Sequence, residues 1–394
     1  MIDKPTREFI LTHRHDDVRS LALRATRYPD VDLRQAVTQI EGWQLATRKL
    51  PTWASTEGMI YPMRLSMEQC SSEQTARYKA SLACGERLAD LTGGFGIDCS
   101  YMAERFTQTT YIERDERLCQ IACHNFALLG KSISVHHGEC EQLLEKLPQQ
   151  DWIFIDPARR SSTGKKVAAL SDCEPDVCKL EAVLLSKSHH IMVKCSPMLD
   201  ISQALRQLTS VREVHVVSVG NECKELLFIL SRQEPKRAAS IRVNSVNLRD
   251  TYTQIFSHTF EEESSATSRY TETLCQYLYE PNSSLMKAGC YNTLSARFEL
   301  GKLHPNTHLY TSDTFHPDFP GRIFKVRDTV GFNKSELRAL TCSIRNANLA
   351  VRNFPEQAEA LRKRLKLADG GDNYLFATTL ADNRKVIVVG EKIQ

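Results

Sequence analysis

The chain has no run of eighteen apolar residues, so no membrane-spanning helix is expected. It carries thirteen cysteines but no CxxC pair, and no apolar signal region stands at its N-terminus. These absences argue against a paired-thiol metal site. They favour reduced thiols serving as small core residues in a cytoplasmic protein. Cys119, Cys123 and His124 come nearest to a cluster, but they share a helical pattern with Leu118, Ile121 and Ala122. They read as core packing, and no metal is expected. A dominant charge is lacking too: 51 Lys and Arg face 48 Asp and Glu, for a net of +3. Overall charge therefore does not announce a nucleic-acid binder. What the 394 residues do provide is enough chain for a sizeable core and two or three domains.

One stretch organises the rest, Arg87-Leu88-Ala89-Asp90-Leu91-Thr92-Gly93-Gly94-Phe95-Gly96-Ile97-Asp98. An apolar run ends in an acid, passes a glycine-rich turn, and resumes with helical spacing at Ile97, Tyr101, Met102 and Phe106. This predicts a strand, a tight turn and a helix N-terminus where backbone can approach a ligand closely. About twenty residues on, Thr110-Tyr111-Ile112 ends in Glu113, the position of the ribose-binding acid in a Rossmann-type unit.

Residues 1 to about 80 read as helical. Leu33, Ala36, Val37, Ile40 and Trp43 share one face, and the pattern stops at Leu50-Pro51. The polar segment 65–80 contains a capping-box spacing, Ser71-x-x-Gln74, which leaves Glu68, Gln69, Ser72 and Thr75 unexplained. From Arg87 to Arg232 strand and helix alternate. Strands are expected at 87–92, 109–113, 133–138, 152–156, 189–195, 211–219 and 224–231. Helices are expected at 97–106, 116–129, 140–147, 176–187 and 199–209. Such alternation means a parallel sheet covered on both faces, with ligands at the carboxyl ends of its strands. The last two strands are joined only by the Gly220-Asn221 region, so they must run antiparallel. That hairpin, and the missing GxGxxG register, argue against a nicotinamide dehydrogenase.

With these residues in hand, the chain resembles the class I S-adenosylmethionine-dependent methyltransferases. Within them it is similar to a bacterial group bearing ferredoxin-like and THUMP-like domains at the C-terminus. The landmarks are Glu68-Gln69-Cys70-Ser71-Ser72-Glu73, the Gly93-Gly94-Phe95-Gly96 turn, Asp156-Pro157-Ala158-Arg159-Arg160, and Leu361-Arg362-Lys363-Arg364-Leu365. The likeness extends over nearly the whole chain. It implies an α/β fold: a Rossmann-like sheet with a terminal antiparallel hairpin, an N-terminal helical cap and small C-terminal α/β domains. The expected divisions are 1–80 for the cap, 81–235 for the methyltransferase core, 236–320 for a connecting and ferredoxin-like region, and 321–394 for the THUMP-like domain.

S-adenosyl-L-methionine has a sulfonium, an amino-acid end, a ribose diol and an adenine, and no pyrophosphate. Asp90 is expected near the ammonium, and the amides of Gly93, Gly94 and Gly96 near the methionine part. Glu113 suits the ribose hydroxyls, because an ionised carboxylate is acceptor-only. Glu139 matches the adenine-reading position, and Thr92, Arg114 and Asp156 complete the expected cofactor set. Asp156 closes the fourth strand at the edge facing the transferable methyl. Methyltransferases of exocyclic amines have Asp/Asn-Pro-Pro and an aromatic there; here Ala158 and Arg159 replace the last two. Asp156 can still orient an amine, but no stacking platform follows it. Asp156, Arg159 and Lys194 are the expected catalytic residues. Gln69, Ser71, Ser72, Thr75, Arg159 and Arg160 are expected at the substrate. The loop from Arg159 to Lys166 is basic and hydroxyl-rich, suited to phosphates. Asn221, Glu222, Lys224 and Glu225 flank the final hairpin and are candidates for the same pocket.

Beyond residue 235 the alternation breaks, and Glu261 to Ser268 reads as a loop. A strand from 277, a helix over 285–300 and a strand at 307–311 follow. After them come strands at 323–330 and 343–347, helices at 335–340 and 355–365, and strands at 373–380 and 385–389. Between 322 and 366 eleven Lys and Arg face four acids. That imbalance, with the THUMP-like resemblance, makes structured RNA the expected partner. The other readings are methyl transfer to a protein or small molecule, and an RNA-binding protein that keeps the fold without the chemistry.

Overall fold

The computed structural model describes residues 2–23, 27–159, 169–232 and 238–393, with Arg159 and Ala238 described in backbone only. The chain divides into two compact units. One comprises Met1–Arg212 with Leu226–Pro235, the other Glu213–Glu225 with Lys236–Gln394.

The first unit opens with helices α1 (Lys4–His13), α2 (Val18–Ala22) and α3 (Leu33–Lys49). Each is started by an aspartate, Asp3, Asp17 or Asp32, whose carboxylate accepts an orphan N–H of the first turn. The buried stripe Leu33, Ala36 and Ile40 of α3 packs on Phe9 and Leu21. Helix α3 ends at Leu50 because Pro51 lacks the next donor; the same proline opens α4 (Pro51–Ser55). Then follow α5 (Arg64–Gln69) and α6 (Glu73–Leu82). The cap of α6 is Ser72, whose Oγ accepts the Thr75 N–H at 3.2 Å, one residue later than the sequence spacing indicated. That shift leaves the Ser71 hydroxyl for other work.

The wound sheet follows as β1 (Gly85–Asp90), α7 (Ile97–Met102), β2 (Phe106–Glu113), α8 (Glu116–Leu128), β3 (Ile133–His137), α9 (Cys140–Leu144) and β4 (Gln150–Ile155). After the short pair β5 (Ala158–Arg159) and β6 (Cys173–Glu174) come α10 (Val177–Lys187), β7 (Ser188–Cys195), α11 (Ile201–Gln207), β8 (Val211–Val219) and β9 (Glu222–Ser231). In this unit the strand order is β9-β7-β4-β1-β2-β3. Strands β7, β4, β1, β2 and β3 run parallel, and β9 lies antiparallel to β7. Trp152 to Ile155 are all buried, as expected for a central strand covered on both faces. Helix α7 is shorter than the apolar spacing suggested: a 3₁₀ turn over Ala103–Arg105 ends it, and Phe106 begins β2. The core reading of α8 holds for buried Cys119, whereas Cys123 and His124 are exposed. His124 Nε2 lies 2.9 Å from the Gly58 carbonyl.

In the second unit Gly220 and Asn221 both have positive φ, 55° and 70°, and turn the chain from β8 into β9. Strand β10 (Arg242–Leu248) runs parallel to β8, and β11 (Thr253–Thr259) returns antiparallel to β10. The expected loop at 261–268 is in large part a helix, α12 (Phe260–Ser265), started by a reciprocal capping box between Thr259 and Glu262. An eight-stranded sheet is ordered β12-β14-β15-β13-β16-β19-β18-β17. Its strands are β12 (Arg269–Tyr270), β13 (Tyr277–Pro281), β14 (Gly301–Lys302), β15 (Tyr310–Ser312), β16 (Gly321–Gly331), β17 (Asn348–Arg352), β18 (Asn373–Thr379) and β19 (Lys385–Lys392). The single helix expected over 285–300 is broken into α13 (Ser283–Ala288) and α14 (Asn292–Arg297). The break falls at Gly289, left-handed at φ 74°. Helices α15 (Lys334–Ser343) and α16 (Ala358–Leu365) bury Leu337, Leu340, Leu361 and Leu365 against β17 to β19. Strand β17 starts at Asn348, five residues later than expected.

Candidate functional site

At the carboxyl ends of β1, β2, β4 and β7 lies a cavity of about 350 Å³. Of the residues singled out in the sequence, Gln69, Ser71, Asp90, Thr92, Gly93, Gly94, Gly96, Glu113, Arg114, Glu139, Asp156 and Lys194 line it. Ser72 and Thr75 are not part of the lining: they bond to each other at the start of α6. Arg160 and the loop to Lys166 lie outside the described residues, as does the side chain of Arg159. Asn221 is committed within the second unit, taking the Ser283 N–H at 2.7 Å and donating its own to Asn247 Oδ1.

The glycine turn is shaped by Tyr111 beneath it. A Cβ on Gly93 would stand 2.0 Å from the Tyr111 ring, and one on Gly96 2.7 Å from Phe126. A Cβ on Gly94 would meet the Thr92 carbonyl oxygen only at 3.9 Å, but the position needs φ +55°. The amides of this turn are already used. Gly93 N–H donates to Ile112 O, Gly94 N–H to Glu113 Oε2 and Gly96 N–H to Gly93 O, each at 2.8 Å. The expectation that these amides face a ligand is therefore corrected: the glycines give close approach, and their donors bind protein. Glu113 is gripped again by the Asp115 N–H at 2.9 Å to Oε1, so two main-chain donors set its orientation.

Asp90 is 1 % exposed. Its Oδ1 accepts the Thr92 N–H at 3.1 Å, while Oδ2 is buried without a hydrogen-bond partner. Burial pushes its carboxyl well above the usual carboxylate range; the Thr92 amide pulls the other way, and Asp98, Asp156 and Glu113 push it further up. Thr92 Oγ1 accepts the Asp156 N–H at 2.6 Å, tying the end of β1 to the end of β4.

At the opposite end sits a charge network that the sequence did not disclose. Lys79 is fully buried, and its Nζ lies 3.2 Å from Asp98 Oδ1 and 3.1 Å from Ser71 Oγ. Ser71 Oγ donates to Asp98 Oδ2 at 2.7 Å. Lys194 Nζ stands 3.4 Å from Asp98 Oδ2 and 2.5 Å from Asp156 Oδ2. Burial alone would raise the Asp98 carboxyl, but Lys79 and Lys194 together hold it below its ordinary value. Asp98 lies in the first turn of the helix after the glycine turn and Lys79 in the last turn of α6, and neither position by itself marks a buried charge pair.

The lining holds eight carboxyl residues (Asp90, Asp98, Glu113, Asp115, Glu139, Glu141, Asp156 and Glu174) against two bases, Arg114 and Lys194. Such a cavity favours a cationic ligand over a pyrophosphate. Among the described residues, no group of three or more His, Cys, Asp or Glu could hold a metal ion, and no helix is long and apolar enough to cross a membrane.

Comparisons with known proteins agree with this architecture. Residues 277–320 match a family described as a ferredoxin-like domain, and 321–392 one described as THUMP domain-like. A solved structure from Porphyromonas gingivalis W83 that bears the name methyltransferase is 35% identical, covers 100% of both chains and superimposes with a TM-score of 0.91. An rRNA methylase of Streptococcus thermophilus is 12% identical over 40% of this chain and 94% of its own, with a TM-score of 0.30. TrmK of M. capricolum, solved with S-adenosyl-homocysteine, is 9% identical over 41% and 70%, at 0.32. At such values these last two add nothing on substrate. No curated protein matches the sequence. Full-length likeness at 35% identity, with both C-terminal domains in place, decides the matter. The chain belongs to the family of methyltransferases that carry ferredoxin-like and THUMP-like domains at the C-terminus.

Proposed function

We propose that the protein methylates structured RNA, with the THUMP-like region as its RNA contact and Asp156 as the group that orients the acceptor. The observation that carries this reading is the convergence of Asp90, Glu113 and Asp156 on one acidic cavity. Asp90 Oδ2, buried and lacking a partner, fits an ammonium group. Glu113, already oriented by two amides, keeps lone pairs for a ribose diol. Thr92, Arg114 and Glu139 are assigned to the same ligand. When bound, S-adenosylmethionine supplies a methyl group activated by its sulfonium.

The chain's own residues then do three things. The narrow cavity aligns donor and acceptor and limits water. Thr92 fixes the main chain of Asp156, and Lys194 fixes one of its carboxylate oxygens. The second oxygen remains to accept an N–H or O–H, and to take the proton where the nucleophile must lose one. Gln69 and Ser71, on the segment before β1, are assigned to the acceptor side, and Arg159 and Arg160 to flanking phosphates on sequence position.

RNA binding is supported by surface charge. Lys334, Arg338, Arg345, Lys363 and Lys366 are exposed, and none of them is ion-paired among the described residues. Filter binding over a salt series tests this. Neutralising all five to Gln is expected to flatten the slope of log K against log salt by about 3.5 to 4.5, at roughly 0.7–0.9 per lost phosphate contact. An unchanged slope discards this surface as the RNA contact. Labelled methyl transfer into total RNA from cells lacking the protein, with nucleoside mass analysis, identifies the modified atom. Absence of label in RNA rejects the substrate.

A further inference from the structure

The N-terminal helices, and Glu73 at the end of the landmark segment 68–73, take no part in the chemistry assigned above. Both are engaged close to the glycine turn. Of the four residues Gly93-Gly94-Phe95-Gly96, three carry no side chain, and Gly94 and Gly96 stand at φ 55° and 85°. Such a turn is permissive, and glycine loses more conformational freedom on being fixed than any other residue. The Tyr111 hydroxyl steadies it by donating to the Gly94 carbonyl at 2.6 Å. Phe95 is the one side chain of the four by which the turn can be gripped.

The Phe95 ring is buried, and Trp53 of α4 meets it edge-on, with centroids 5.0 Å apart and planes at 65°. The Tyr61 ring stands 6.4 Å away. Edge-to-face pairs at such spacings attract beyond the area they bury. The gripping residues are themselves held. Gln39 of α3 exchanges two hydrogen bonds with the main chain of Tyr61, at 2.8 and 2.9 Å. Asn125 of α8 does the same for Ile60, at 2.8 and 3.0 Å. Helix α4 has no side-chain cap at its own start, which is a proline. The orphan N–H of Thr52 donates instead to Glu73 Oε2 at 3.0 Å, and the Thr52 hydroxyl to Glu73 Oε1 at 2.6 Å. A carboxylate is favourable at that positive end. Glu73, buried on α6, thus caps α4 and sets the place of the next residue, Trp53.

We propose that Trp53 is a positioning residue for the cofactor: through Phe95 it holds the glycine turn in the shape that admits the methionine part, and Glu73 holds Trp53. The N-terminal helices are then a working wall of the cofactor site. The inference rests on reading this turn as the surface against which S-adenosylmethionine lies. A merely structural tryptophan would lower stability and leave the affinity of the folded protein where it was.

The test is calorimetry of the full-length protein with S-adenosylhomocysteine, beside thermal melting. Trp53→Leu is expected to weaken binding about tenfold, the scale of one lost edge-to-face contact. Trp53→Phe keeps a ring against Phe95 and is expected to stay within about threefold of wild type. Glu73→Ala is expected to weaken binding through the same contact, so that adding it to Trp53→Leu brings no further loss. Leu33→Ala removes packing from the cluster of Phe9, Leu21 and Ile40, to which neither Trp53 nor Phe95 belongs. It is expected to lower the melting temperature and leave affinity unchanged. A folded Trp53→Leu that binds as wild type does overturns the proposal. Equal weakening by Trp53→Phe or by Leu33→Ala overturns it as well, and a further loss in the double variant overturns the part given to Glu73. If Trp53→Leu does not fold, Phe95→Leu removes the contact from the side of the turn and is judged by the same criterion. Wild type that fails to bind removes the cofactor reading and this inference together; wild type that binds beside an unaffected Trp53→Leu removes the inference alone.

Discussion

The two ends of the cavity secure their carboxylates by different means. At one end Glu113 takes both of its bonds from main-chain amides and Asp90 takes its one from Thr92 N–H. At the other, Asp98 is held by Lys79, Lys194 and Ser71, and the Asp156 carboxylate by Lys194. Main-chain donors come with the turn and cannot be exchanged by substitution, so that end is set by the path of the backbone. Side-chain donors must balance as charges, so the other end is set by which residues accompany one another. The first arrangement tolerates changes elsewhere; the second does not.

The largest effect that would break this contrast is on stability. Lys79→Met leaves Asp98 one cation short in a buried site, and urea denaturation should show a loss of about 3–5 kcal/mol. Lys79→Met/Asp98→Asn should recover most of it. Equal losses in single and double variants would mean that packing, and not charge balance, governs this end. A second measurement separates the ends by function. Glu113→Ala should weaken S-adenosylhomocysteine binding about 10- to 100-fold, the range of one or two charge-assisted hydrogen bonds. Asp156→Ala should leave that binding within about threefold and lower methyl incorporation by at least about a hundredfold. Reversal of the two phenotypes would exchange the assignments.

The smallest effect concerns pH. Burial, the largest influence on Asp90, makes the folded state hold its proton to higher pH than the unfolded chain does. Its contribution to stability is intact below the unfolded value near ~3.9 and is lost as pH climbs through the folded value. Asp98 runs oppositely. Its lowered value gives stability that is present above the unfolded value and lost as pH falls through the folded one. Asp90→Asn should thus be more stable than wild type at neutral pH, with the gap closing toward pH 4. A cation arriving at Asp90 should also expel its proton. Calorimetry in buffers of different ionisation enthalpy should detect net proton release on cofactor binding, and none in Asp90→Asn.

The same contrast explains what was legible in the sequence. The strands of the wound sheet, the glycine turn and Glu113 announce themselves through apolar period and position, because main-chain geometry creates them. Ser72 rather than Ser71 caps α6, a slip of one residue that spacing alone does not exclude. The pair of Lys79 and Asp98 leaves no periodic mark, since its members are nineteen residues apart and meet only through the fold. Charge counting misled in a related way. Between residues 322 and 366 five arginines are neutralised: Arg322 and Arg352 by Glu280, Arg327 by Glu391, Arg362 by Asp369 and Arg364 by Glu356. Three of those four acids lie outside the window that was counted. The capping box at Thr259 and Glu262 was readable and would have revealed α12.

The chain visits its second unit twice. Residues 213–225 belong there, residues 226–235 return to the first unit, and only then does the remainder follow. Strand β8 finds its parallel neighbour in β10, over seven residue pairs from Glu213–Arg242 to Val219–Leu248. A protein shortened after residue 235 would strand that edge without its ladder, open to pairing between molecules. Shuffling of the C-terminal domains onto other enzymes is therefore constrained: a graft would have to carry the 213–225 segment with it.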